Sequence, residues 1–325
     1  MENIKKACVT GATGYIGKQL TNVLIEQGYE VTVLSRNSNI DFPATVKVIQ
    51  GDLTSVNCPF EQFLENCNVI FHCAGEINNT KLMRAVHIDG TRRLLQAVIK
   101  KAEQKNVPIH WIQLSSVGVY GPPEKANEER VVTESSPVQP KGEYEQTKAE
   151  ADDLIITASQ NKLFTYSIVR PSNVYGGEMP NSTLFSLADV VRRGLYFHIG
   201  YLESIATYVH VEDVVDLLVI CATDSRTKFE VFNISNDCRL DSLIGSICLA
   251  LNINSPRVRL PETLVRLLVS IVSIFTTFPL TQERINSLVS RTTYPSTKVK
   301  RILNFRPSIS VENAIGTVVC DSKLK

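Results

Sequence analysis

Glycines at positions 11, 14 and 17 stand between a short apolar run, residues 7–10, and a stretch with helical periodicity, residues 15–27. In Thr10-Gly11-Ala12-Thr13-Gly14-Tyr15-Ile16-Gly17 a strand must turn at once into a helix, and each glycine has a separate use there. The first permits the tight turn, the second lets backbone approach a pyrophosphate, and the third brings helix and strand close together. A helix starting at such a turn aims free N–H groups and a partial positive charge at the phosphates. The spacing therefore predicts a dinucleotide contact through Gly11, Thr13, Gly14, Tyr15, Ile16 and Gly17.

The rest of the first half repeats this alternation. Apolar, β-branched runs at 30–34, 46–50, 69–73, 110–115 and 167–170 are separated by helical patterns at 60–66, 82–105 and 144–159. Near-continuous apolar strands joined by helices predict a parallel sheet buried on both faces. With right-handed crossovers the fold class is α/β, a doubly wound (Rossmann) parallel sheet. After about Asn173 the rhythm breaks at Gly176-Gly177, and from Leu240 onward the pattern is mostly helical. The expected division is a nucleotide-binding domain over 1–174 and a smaller, mostly helical lobe over 175–325. Residues of about 205–235 interleave with the main sheet.

Further residues follow from their places after strands. The second run ends in Ser35-Arg36, where an arginine in place of a carboxylate suits a 2′-phosphate and favours NADP over NAD. Asp52 and Leu53, after the third run, are placed to meet an adenine. The fifth run ends in Ser115-Ser116, and farther on comes Tyr144-Glu145-Gln146-Thr147-Lys148. On a helix Tyr144 and Lys148 share a face. A phenol ionises near pH 10, so a neighbouring ammonium is expected to favour the phenolate and let Tyr144 exchange a proton with a substrate oxygen. Ser116 would hydrogen-bond that same oxygen.

Together with Phe71-His72-Cys73-Ala74-Gly75, Ser115–Gly121 as Ser-Ser-Val-Gly-Val-Tyr-Gly, Val169-Arg170-Pro171-Ser172-Asn173-Val174-Tyr175-Gly176 and Tyr208-Val209-His210-Val211-Glu212-Asp213-Val214, these motifs resemble the extended short-chain dehydrogenase/reductases, the NAD-dependent epimerase/dehydratase group. The resemblance spans about residues 5–320. It implies Ser116, Tyr144 and Lys148 as a catalytic triad, with Lys148 also holding the nicotinamide ribose. It implies cofactor contacts from Ala74, Gly75 and Pro171, substrate contacts near Asn173, and a homodimer through the helices at 82–105 and 144–159. Where the family usually has Asn in Asn-x-x-Gly-Thr this chain has His87, expected to hydrogen-bond on the cofactor side. His210 and Asp213 are expected to brace the turn from strand to helix.

Sugar dehydratases of the group carry an Asp-Glu pair after the active-strand hydroxyl; Val117-Gly118 stands here, which argues against elimination of water. The motif set favours an epimerase or ketoreductase of a nucleoside-diphosphate sugar. An alternative is a reductase or dehydrogenase of an apolar alcohol, like the 3β-hydroxysteroid dehydrogenase and dihydroflavonol reductase branches. Two features support the alternative: residues 203–207 lack the arginine that grips a diphosphate in many nucleotide-sugar enzymes, and residues 264–278 are strongly apolar.

Composition narrows the partners. A net charge of +1 with scattered Lys and Arg gives no electrostatic case for nucleic acid. None of the eight cysteines forms a CxxC pair or lies near histidines at metal-ligand spacing, so free thiols and no metal are expected. The N-terminus runs directly into the first strand, leaving no room for a signal peptide, and a cytoplasmic location is expected. The uncharged run 267–280 is shorter than the roughly 20 residues that cross a bilayer; a buried or peripheral helix is expected there.

Overall fold

The structure, a computed structural model, describes residues 5–105, 109–177, 179, 182–275 and 280–321. Seven parallel strands form the central sheet: β1 (Lys6–Thr10), β2 (Glu30–Ser35), β3 (Lys47–Gln50), β4 (Val69–His72), β5 (Ile109–Leu114), β6 (Phe164–Pro171) and β7 (Glu230–Ile234). Their order is β7-β6-β5-β4-β1-β2-β3, a doubly wound Rossmann-type arrangement. All four residues of β4 are buried, as a strand covered on both faces requires.

Five helices matter most to the site: α1 (Tyr15–Glu26), α2 (Thr91–Lys105), α3 (Glu143–Ala158), α4 (Ser182–Arg192) and α5 (Val211–Thr223). Helices α1 and α5 bury Leu20, Leu24, Val214 and Leu218 on one face of the sheet. Helices α2 and α3 bury Leu94, Val98 and Ile155 around Trp111 on the other. Strand order reverses between β1 and β4, and in open sheets of this kind ligands bind at the carboxyl ends of the strands at that reversal.

Two expected elements differ. The pattern at 82–105 is not one helix: a short helix, Thr80–Arg84, passes through a π-helical segment, Ala85–Gly90, before α2 begins. The wider turn carries apolar periodicity across the join, so the pattern looks continuous. The pattern at 60–66 is helical only over Phe60–Phe63, and Asn66 takes a left-handed φ of 57°.

In the C-terminal lobe, α4, α6 (Leu240–Ala250) and α8 (Val311–Asp321) share a core of Leu184, Leu243, Ile247 and Val311. Strand Asn173–Tyr175, directly after β6, pairs with Tyr208–His210, while β7 returns to the main sheet beside β6. The apolar stretch at 264–278 forms α7 (Glu262–Phe275); its last three residues lie outside the described residues. Helix α7 buries Val265 and Val269 and exposes Leu264, Leu267, Leu268 and Ile271. No described helix is long and apolar enough to cross a membrane.

Candidate active site

The glycine turn lies at the end of β1 as its spacing predicts. Gly11 has φ +71°, and a Cβ on it would stand 2.6 Å from the backbone of Cys73 and Ala74. Gly17 is equally constrained, since its Cβ would fall 2.1 Å from the Gly11 carbonyl. Gly14 is the N-cap of α1 with no side-chain cap, and the first turn holds no carboxylate. An uncapped helix start with no competing anion fits a dinucleotide pyrophosphate. Thr13 and Gly14 are exposed beside it, and Tyr15 and Ile16 are half-buried.

A chain of contacts leads from this turn to the residues that carry chemistry. Gly11 packs on Cys73-Ala74, and the next residue, Gly75, has the His87 ring and the Lys148 ammonium 3.3 and 3.5 Å from where its Cβ would be. Lys148 Nζ donates to the Leu114 carbonyl at the end of β5, 2.9 Å away. Just beyond β5, Ser116 caps a short 3₁₀ turn, Val117–Tyr120, accepting from Gly118 N–H at 3.1 Å. The Ser116 side chain also lies near enough to the Tyr144 phenol to favour its ionised form. The hydroxyl, phenol and ammonium that the sequence singles out are thus gathered on the carboxyl ends of β4 and β5.

The expected electrostatics of the phenol differ. Burial pushes Tyr144 up to about 12, the charges of Glu145 and Asp152 add to this, and the nearby Ser116 side chain opposes it. The Lys148 ammonium, held on a backbone carbonyl, is not among the influences that lower Tyr144. Burial also draws Lys148 down, against the opposing charges of Asp152 and Cys73. In the protein alone the phenol therefore stays protonated, and a further positive charge is needed to bring it into range.

His87 is held between two segments of the protein. Its Nε2 accepts from the Glu76 N–H at 2.8 Å, which leaves the proton on Nδ1, 2.8 Å from Thr147 Oγ1. Thr147 Oγ1 in turn donates a hydrogen bond to the Glu143 carbonyl. With both nitrogens engaged, His87 braces α3 against the π-helical segment, and its ring meets Tyr144 edge-on at 5.7 Å. Burial, and then the charge of Lys148, lower it to about 3, so it is neutral.

The nucleoside end is arranged as follows. Ser35 is buried at the end of β2 and accepts from the Asn37 N–H. Asp52 accepts from Thr54 N–H and Oγ1, both at 2.8 Å; the backbone bond chiefly lowers its carboxyl, and Arg36 and Arg93 add to the effect. The Leu53 carbonyl accepts from Arg93, and its side chain lies against Gly90. Arg36 is exposed and also draws on Glu76, whose carboxyl is lowered mainly by the Asn78 and Asn79 N–H groups.

Pro171 is buried at the end of β6. The Asn173 amide donates to the Thr207 carbonyl at 2.9 Å, joining the two short strands of the lobe. His210 caps α5, and Asp213 accepts from Ser308 and Ile309, so both are bracing residues as expected.

Some site residues escape a reading of motifs. Asp152, one turn beyond Lys148, is buried, and its Oδ2 accepts from Ser115 Oγ at 2.8 Å and from Arg170 at 3.0 Å. Arg170 reaches Tyr120 Oη at 2.9 Å, which donates to Asn233. This network ties β5, β6, β7 and α3 together beneath the candidate triad. His72 is also buried, bridging Thr10 and Thr91 across the strand reversal at 2.7 and 2.9 Å.

Known proteins share this organisation. A mouse sterol-4-alpha-carboxylate 3-dehydrogenase, decarboxylating, is 26% identical over 97% of this chain and 90% of its own length. A UDP-glucose 4-epimerase of Vibrio cholerae is 26% identical over 76% of each protein. Among solved structures, a UDP-glucose 4-epimerase of Thermotoga maritima superposes with a TM-score of 0.73 at 20% identity, covering 98% of this chain and all of that one. The glycine turn, the parallel sheet and the cluster at the ends of β4 and β5 all fall within residues 7–235, the part matched by the NAD dependent epimerase/dehydratase family, and the chain belongs to that family of NAD-dependent enzymes.

Proposed function

We propose that this chain is an NAD(P)-dependent dehydrogenase or ketoreductase of a secondary alcohol on an apolar ring substrate, with Ser116, Tyr144 and Lys148 as its catalytic groups. The observation that carries the reaction is the proximity of the Ser116 and Tyr144 side chains at the strand ends, where Lys148 is held on the Leu114 carbonyl. A bound nicotinamide dinucleotide supplies the hydride acceptor or donor. Tyr144 Oη, as the phenolate, takes the carbinol proton in oxidation and, as the phenol, returns it in reduction. Ser116 Oγ fixes the same substrate oxygen. Lys148, beside Gly75, would hydrogen-bond the cofactor ribose and bring positive charge to the crevice. The exposed Arg36 supports NADP over NAD.

The motifs alone favour a nucleotide sugar, but features of the C-terminal lobe support an apolar substrate. The sterol dehydrogenase of mouse is similar over 97% of the chain, lobe included, and the Vibrio epimerase over 76%. Residues 203–207 offer no arginine to a diphosphate. The exposed apolar stripe of α7 suits a protein that meets its substrate at a lipid–water boundary. The nucleotide-sugar reading is retained as the second, because epimerase relatives share the sheet and the motifs. The homodimer belongs to the same proposal; the groove between α2 and α3 offers the half-buried Ile99 and Leu154 to a second copy.

Absorbance at 340 nm tests the proposal. Steady consumption of NADPH or NADH with an alicyclic ketone such as a 3-ketosteroid is expected. Tightly copurified NAD(H), with interconversion of UDP-sugars and no net consumption of added cofactor, would overturn the apolar reading in favour of epimerisation.

A further inference from the structure

Tyr144 is followed by a carboxylate that the proposed reaction has not used. Glu145 is half-buried, and its carboxylate makes no hydrogen bond or ion pair with any described residue. It lies over two bare glycines. A Cβ on Gly118 would stand 2.9 Å from Glu145 Cγ and 3.8 Å from its Oε1, and the same point is 3.3 Å from Ser116 Oγ. A Cβ on Gly142, the N-cap of α3, would fall 2.1 Å from Glu145 Oε2. The absence of side chains at Gly118 and Gly142 therefore makes the space that this carboxylate occupies, beside the hydroxyl that is to bind the substrate oxygen. Its charge also reaches the Tyr144 phenol. In the first turn of α3, with no hydrogen-bond partner among the described residues, this carboxylate has acceptor oxygens only to offer.

We propose that Glu145 is a specificity-determining residue, which faces the substrate atoms next to the reacting carbinol, accepts a hydrogen bond from a neutral hydroxyl there and excludes an acid group. This rests on the reading of Ser116 and Tyr144 given above and narrows its substrate to one uncharged beside the reacting carbon. The mouse relative is named for a sterol that carries a carboxylate on carbon 4, next to the carbon 3 it oxidises. On this assignment the present chain disfavours that acid and takes the neutral counterpart.

Two matched pairs of probes test it in the cofactor-loaded enzyme. A 3β-hydroxysterol and its 4α-carboxylate are compared by cofactor reduction; UDP-glucose and UDP-glucuronic acid, whose carboxylate is borne on carbon 5 next to carbon 4, by product analysis. The wild type is expected to prefer the neutral member of whichever pair it turns over. Glu145→Gln keeps the shape, removes the charge and should lower the neutral-to-acid ratio of kcat/KM by roughly tenfold, the scale for relieving a like-charge contact near a protein surface. A purely structural role would change both members together. Equal wild-type use of both members, or a ratio unmoved by Glu145→Gln, overturns the role of Glu145 and leaves the apolar reading standing. Turnover of the sugars alone overturns the apolar reading while the ratio still tests Glu145. Turnover of none of the four overturns both.

Discussion

Replacing Asp152 with asparagine removes one charge and almost no volume, directly beneath the candidate triad. Its Oδ2 holds Ser115 and two nitrogens of Arg170, and the side chains of the ion pair are 2% and 6% exposed. Removing one partner of a buried pair strands the other charge and costs about 3–5 kcal/mol. Asparagine keeps an acceptor oxygen, so the lower end, about 3 kcal/mol, is expected. The only tryptophan, Trp111, is buried on β5 and reports unfolding in urea by its fluorescence. Removing both charges, as Asp152→Leu with Arg170→Met, should cost less than the two single losses added together, because no charge is then left alone. The change should also reach Lys148. Asp152 raises the lysine against the lowering by burial, so without it the ammonium is lost at lower pH and the alkaline limb of activity moves down. A stability loss below about 1 kcal/mol with an unmoved alkaline limb would refute the argument.

Two further outcomes are expected. His72 and His87 are each lowered from 6.5 to about 3, chiefly by burial, so both are neutral in the folded protein. Their contribution is complete above pH 6.5 and is lost as pH falls toward 3, at about 2 kcal/mol each by pH 5. Urea midpoints measured from pH 7 to 5 should therefore fall, and less steeply in His72→Asn; parallel slopes would contradict this. If Arg36 pairs with a 2′-phosphate, Arg36→Glu should weaken NADP relative to NAD by about 10–100-fold, the value of a charged hydrogen bond, measured by cofactor titration; an unchanged ratio would count against the pairing.

What could be read from the sequence was local. The glycine turn, the strand-terminal Ser116 and the one-turn spacing of Tyr144 and Lys148 are carried by a few neighbouring residues, and the alternation of apolar runs prescribes the sheet. What could not be read depends on residues brought together from afar. His87 finds its partners 11 and 60 positions away, and only their positions show that both nitrogens are used. Asp152 has an obvious helical relation to Lys148, but its burial and its Arg170 partner follow from how β6 lies against α3. The orientation of Glu145 depends on bare glycines at 118 and 142, and a glycine in a sequence does not announce whose side chain it makes room for. The phenol likewise looks activated when only Lys148 is considered, whereas in the fold burial and the charges of Glu145 and Asp152 raise it.

The most direct test is Tyr144→Phe, assayed for cofactor-linked turnover of the substrate that the wild type accepts, with cofactor affinity measured on the same preparation. Without a phenol to carry the proton, turnover should fall by about 10²–10⁴ while the cofactor still binds. A variant that turns over as fast as the wild type would contradict the assignment of Tyr144 as the group that moves the proton.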